Sequence, residues 1–273
     1  MEILFFCPRW GSEDIPWEEF CKKVKAAGYD GIEYAIARDV KDSELANAWL
    51  SAEKQGLQVL PQHYDTTEAD FDEHIRRYET WLKRVHPLPH VLINSQTGKD
   101  FFSFDQNRAL IDLGNSYQVV HETHRGKFSF AAHITKPFLE QIPDLRLTLD
   151  ISHWVNVAES LLEDQKESVK LAISKTEHIH ARVGYAEGPQ ISDPGSRTWQ
   201  TELSRHLNWW DAAFMRKFHA GERFTITPEF GPFPYMVHLP KDHSPLANQW
   251  KCNLHMMTLL KDRYAQLISN QTK

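Results

Sequence analysis

Residues 31–62 read GIEYAIARDVKDSELANAWLSAEKQGLQVLPQ, and their order decides the fold. The run 31–35 is short and β-rich, 43–55 reads as an amphipathic helix, Gly56 stands just past its end as a C-cap should, and 58–62 is a second β-rich run. A strand, a helix and a strand in close succession make a parallel crossover unit. The same alternation continues in both directions. Further strands are expected at 3–8, 91–95, 118–122, 146–150, 178–182 and 224–229. Helices are expected at 16–27, with Gly28 as its cap, and at 70–86, 104–113, 136–142, 156–174, 203–220 and 246–268. Eight strands separated by helices, with no Pro/Gly/Ser-rich linker or internal repeat, predict a single-domain (β/α)8 TIM barrel, class α/β, over 1–273. The short helix before residue 118 predicts a local compression of the barrel.

A chain of 273 residues, 41% hydrophobic, can bury a core of that size. Its net charge of -6 disfavours a grip on a phosphate backbone, so no nucleic-acid partner is expected. Cys7, Cys21 and Cys252 form neither a disulfide framework nor a zinc-finger spacing. With no leader-like start and no apolar span of about 20 residues, a cytoplasmic protein without a membrane partner is expected.

Strand parity then sorts the polar residues. In 146–150, Leu147 and Leu149 suit the helix side and send Thr148 and Asp150 inward. By the same rule Glu122 faces inward with Gln118 and Val120, His180 with His178 and Arg182, and Glu229 with Thr225 and Thr227. Four consecutive strands thus bring Glu122, Asp150, His180 and Glu229 to one level. Three carboxylates and an imidazole in a closed pocket repel one another unless a cation lies between them, which points to one divalent metal ion. Oxygen-rich ligation with one nitrogen suits Mn²⁺, Mg²⁺ or Co²⁺ and tolerates Zn²⁺, and the absence of Cys ligands argues against a structural zinc. Taken singly, each residue is as well read as a solvated strand end or a buried hydrogen bonder. Together, on successive strands of matching parity, they favour the metal.

The segments 121–124 (HETH), 149–154 (LDISHW), 178–182 (HIHAR) and 227–231 (TPEFG), with 28–33 (GYDGIE), resemble the motifs of the xylose isomerase-like TIM-barrel superfamily. That group includes sugar isomerases, ketose 3-epimerases, inosose dehydratases and apurinic endonucleases. The resemblance implies that Glu122 and Glu229 ligate the metal and act as the catalytic proton-transfer pair, that Asp150 and His180 complete the ligand set, and that His153 contacts substrate. Arg182 either binds a substrate hydroxyl, carboxylate or phosphate or makes a salt bridge within the barrel. His63, Asn94 and Gln96 are expected to line the rest of the substrate pocket, with a structural hydrogen bond as the plain alternative; for Glu33 the structural role is favoured. Trp10, Trp154 and Phe230 are candidate apolar walls, and His124 and Arg125 are neighbours of Glu122.

The implied activity is a metal-dependent sugar or polyol isomerase or epimerase working by α-proton abstraction through an enediolate. A keto-polyol dehydratase is the nearest alternative. An endonuclease-like phosphodiesterase would need further ligands, but 192–195 (SDPG) has Gly where a second one belongs, and the fourth strand ends in Asn94 and Gln96 rather than His. A non-catalytic barrel would be expected to lack one of the two carboxylates. No Gly-rich phosphate loop is present, which favours an unphosphorylated small-molecule substrate. A homo-oligomer is left open.

Overall fold

A computed structural model describes residues 1–271. The strands β1 (Ile3–Pro8), β2 (Gly31–Ala35), β3 (Gln58–His63), β4 (Ile93–Ser95), β5 (Val119–Glu122), β6 (Leu147–Leu149), β7 (Thr176–His180) and β8 (Phe224–Thr227) form a closed barrel in chain order. Every neighbouring pair is parallel, and β1 closes on β8 with Ile3 opposite Phe224. Closure pairs the backbone groups that an open sheet would leave at its edges. Around the barrel run α1 (Trp17–Ala26), α2 (Asp42–Lys54), α3 (Phe71–Val85), α4 (Phe104–Ser116), α5 (Ala132–Gln141), α6 (Ser152–Ala158), α7 (Lys166–Ser174), α8 (Gln200–Ala220) and α9 (Gln249–Gln271). No helix among the described residues is long and apolar enough to cross a membrane. The three cysteines are free and buried.

Alternation along the strands divides the core. Phe5, Cys7, Ile32 and Val59 face outward and pack beneath the helices, whereas Leu4, Phe6 and Leu60 form a separate apolar plug inside the barrel. Gly31 makes room for that plug. A Cβ at residue 31 would lie 2.5 Å from the Phe6 ring and 2.5 Å from the Gln58 carbonyl oxygen. Above the plug the inward residues turn polar, and there the candidate site begins.

Three expectations are corrected. The helix before β5 is not short: α4 runs on to Ser116, and the strand starts late because Gln118 adopts φ +58°. The single helix expected over 156–174 is two, α6 and α7, parted where Glu159 and Leu162 take φ +47° and +56°. That break inserts Leu162, 1% exposed, into the apolar cluster around β6, a packing gain that helical periodicity does not encode. The last helix starts at Gln249, not 246, because Leu246 donates its N–H to the Val237 carbonyl and belongs to the long loop after β8.

Candidate metal centre

Glu122 ends β5, His180 ends β7, Asp150 follows β6 and Glu229 stands two residues past β8, so all four lie at the C-terminal mouth of the barrel. Each offers a ligand atom, and these atoms lie within 4.8 Å of one another, all four residues being buried. Nδ1 of His180 lies 2.9 Å from Glu229 Oε2 and 3.7 Å from Glu122 Oε1. That approach falls outside hydrogen-bond geometry, so the buried Nδ1 is compensated by Glu229 only while the ring carries a second proton. The opposite ring nitrogen, Nε2, donates to Glu33 Oε1 at 3.0 Å. With its proton held there, a neutral His180 turns the Nδ1 lone pair toward the carboxylates, the tautomer a metal ligand requires. An orphaned nitrogen facing converging carboxylate oxygens fits a divalent cation bound by Glu122, Asp150, His180 and Glu229.

The surroundings fix these groups. Glu122 accepts from Gln62 and Asn94, both at 3.0 Å on Oε2, and from Gln96 at 3.2 Å on Oε1. Asn94 also donates to Glu33 Oε1 at 3.1 Å. Asp150 accepts from the Ser152 N–H at 3.2 Å and from its hydroxyl, and pairs with the Arg182 guanidinium. Arg182 lies 3.6 Å from Glu229 and donates to His153 Nε2 at 2.9 Å, while its guanidinium carbon stands 4.6 Å over the Tyr235 ring.

Electrostatics follow from burial. Burial, with the charges of Glu229 and Asp150, pushes the Glu122 carboxyl up to about 7 against the pull of His180. Asp150 is raised by burial despite Arg182. Burial alone would lower His180, but the carboxylates of Glu229, Glu33 and Glu122 carry it well above its usual range. Glu33 moves the other way: its burial is outweighed by the imidazoles of His180 and His178, and it stays ionised. Without a cation, protons on Glu122 and His180 offset the charge a metal would neutralise.

Of the other expected site residues, Asn94 and Gln96 reach Glu122 as described. Arg182 makes the internal salt bridge rather than standing free. His153 is buried 3.6 Å from Asp150. His63 is corrected: it meets Ser95 at 3.0 Å, Thr66 at 2.8 Å and the rings of Tyr78 and Trp81, away from the cluster. Leu60 and Gln62 hold the inward parity of β3, so its next residue faces the helices. Trp10 lines the mouth against Tyr235, but Trp154 and Phe230 are core residues. Sequence reasoning missed Gln62, Ser152, Tyr235 and Arg9. Arg9 directly follows β1, and that position at the mouth was the available signal. A cavity of about 510 Å³ opens over the cluster, lined by Glu122, Glu229, His124, Arg182, Tyr235 and Arg9 among others.

No family profile and no curated protein sequence matches the chain. Solved structures do. A xylose isomerase domain containing protein from Salmonella typhimurium LT2 matches with TM-score 0.53 at 14% identity, covering 83% of this chain and 88% of that one. The chain shares with that protein the fold of a (β/α)8 barrel. A structure described as "AsfvAP:AG" matches with TM-score 0.55 at 13% identity over 96% of this chain and 99% of that chain. At these identities the likeness is one of fold.

Proposed function

We propose that the chain is one xylose isomerase-like domain and a divalent-metal-dependent isomerase or epimerase of a sugar or polyol. The observation carrying this reading is that Glu122 and Glu229, which both line the cavity, approach the same His180 nitrogen at 3.7 and 2.9 Å. Glu122, Asp150, His180 and Glu229 would hold the ion, which when bound supplies Lewis-acid polarisation of a substrate carbonyl or hydroxyl. One of the two glutamates removes the proton α to the carbonyl, giving an enediolate, and the other returns a proton to the neighbouring carbon or the opposite face. Gln62, Asn94 and Gln96 hold Glu122 in place, and Arg182, bonded to His153, lines the cavity where the reacting carbons would lie. Elimination of water after the same first step would make the enzyme a keto-polyol dehydratase.

The test is a panel of ketoses, aldoses and keto-inositols in deuterated water with Mn²⁺, Mg²⁺ or Co²⁺, followed by NMR. Exchange of an α-proton, lost in Glu229→Gln with metal still bound, is expected. Equal exchange in that variant would end the two-carboxylate mechanism.

One observation favours a hydrolytic reading: Glu122, His124 and His153 also bring ligand atoms within 4.8 Å of one another, so a second ion could share Glu122, as in two-metal phosphodiester cleavage. Against it, the Arg182 guanidinium already occupies His153 Nε2, and Asp193 is exposed and accepts from the Gly195 N–H at 2.8 Å. DNA carrying abasic sites is expected to stay intact; nicking sensitive to Glu229→Ala would reverse the ranking.

A further inference from the structure

Arg9 is a buried cation that no carboxylate touches among the described residues. It is 6% exposed, yet makes no ion pair among the described residues. Its Nη2 donates to the carbonyls of Glu13 at 3.1 Å and Ile15 at 2.6 Å, and its guanidinium carbon stands 4.3 Å from the Trp17 ring centre and 4.6 Å from that of Phe20. These contacts hold one edge of the group, while Nη1, itself enclosed, has no partner. Glu13 and Asp14 attract the guanidinium only at longer range, and the hydrogen bonds of Glu13 and Glu44 go elsewhere. Glu13 accepts from the Gly11 N–H at 2.9 and 3.0 Å, and Glu44 accepts from the Tyr34 hydroxyl at 3.4 Å. Arg182 and Lys217, buried as deeply, each meet carboxylates.

Burying a guanidinium is costly unless charge and hydrogen bonds compensate it, and an arginine does not escape by losing its proton. Arg9 lines the same cavity as Glu122 and Glu229. We propose that Arg9 is the docking point for an anionic group, a carboxylate or a phosphate, on a substrate whose reacting carbons lie over Glu122 and Glu229. The placement of those carbons rests on the sugar or polyol reading; the anion site does not. A planar, weakly hydrated fork with a spare nitrogen suits either anion, and no Gly-rich loop is needed when a side chain supplies the charge. Lys127, also 6% exposed and without an ion pair among the described residues, sits on the loop after β5 and does not line this cavity, so it serves as the control.

Two titrations by calorimetry test the proposal. Mn²⁺-loaded protein is titrated with D-fructose, D-fructose 6-phosphate and D-fructuronate, and metal-free protein with inorganic phosphate. At least one acidic ketose is expected to bind about tenfold to a hundredfold more tightly than D-fructose, the span of a charge-assisted hydrogen bond. Which one does so separates phosphate from carboxylate. Arg9→Met removes the preference and the phosphate binding, Arg9→Lys keeps part of both, and Lys127→Met keeps them whole. If Arg9→Met does not fold, the wild-type ranking and Arg9→Lys decide. Acids that bind no better than D-fructose, absence of binding by every ligand included, overturn the proposal. So does a preference that survives in Arg9→Met, or phosphate binding equal in the two proteins. Arg9-dependent phosphate binding without α-proton exchange in any sugar would instead sink the sugar reading and leave the anion site standing.

Discussion

Replacing Glu33 by Gln tests how the proposed ligand His180 is held. Glu33 Oε1 accepts from His180 Nε2 at 3.0 Å and from Asn94 at 3.1 Å, and Oε2 lies 3.4 Å from His178 Nε2, all in the barrel interior. The carboxylate fixes which ring nitrogen of His180 carries the proton and raises the basicity of the other. A glutamine has the same shape and keeps an acceptor for one neighbour, but it removes the charge and turns one oxygen into a donor, which cannot face both imidazole N–H groups. Loss of such a partner behind a metal-bound histidine typically costs 10- to 100-fold in affinity, about 1.4 to 3 kcal/mol. The structure argues for the upper part of that range, because burial leaves no water to replace the carboxylate. The assay is calorimetric titration of Mn²⁺ into metal-free wild type and Glu33→Gln at pH 7.5, with far-UV circular dichroism to verify the fold. A dissociation constant within twofold of wild type would refute the claim that Glu33 sets the tautomer.

Other expectations are quickly stated. Asp150→Ala should lower Mn²⁺ affinity first and activity in consequence, whereas His153→Ala should keep the metal and raise KM or lower kcat, a difference that parallel titration and kinetics would expose. Two buried histidines should weaken the fold in acid. Burial lowers His121 to about 3 and His206 to about 4, so both are neutral when folded, while in the unfolded chain they titrate near 6.5. The unfolded state then binds the extra protons, and stability present above pH 6.5 should fall by about 2 kcal/mol per pH unit between pH 6 and 4 from this pair alone; urea melts that stay flat over the window would contradict it. Gly31→Ala should destabilise by about 1–3 kcal/mol, since its Cβ would sit 2.5 Å from both the Phe6 ring and a backbone oxygen, and a Tm equal to wild type would show that the plug can shift.

What the sequence determined by itself is the part governed by local periodicity. Alternation in 146–150 and 224–229 separates Leu147, Leu149, Phe224 and Ile226 from Thr148, Asp150, Thr225 and Thr227, and a strand's period of two leaves no other assignment once one face is apolar. Eight such strands with intervening helices lead to a barrel, and a barrel brings the ends of its strands together. The convergence of Glu122, Asp150, His180 and Glu229 was therefore legible before any coordinates. Side chains whose direction depends on where a strand ends were not. His63 looked like a strand-end pocket residue, but β3 remains regular to its end, so parity turns it against Tyr78 and Trp81 and gives the inward place to Gln62. The break between α6 and α7 depends on a cluster into which Leu162 can fall, and Arg182's pairing with Asp150 depends on the distance between two strands. Arg9 shows the limit most plainly. In sequence it is one arginine among many; its meaning comes from Trp17, Phe20 and two carbonyls that surround it while supplying no negative charge. Periodicity fixes which way a side chain faces, but only three-dimensional packing decides what it meets there, because charge compensation is a property of neighbours distant in the chain.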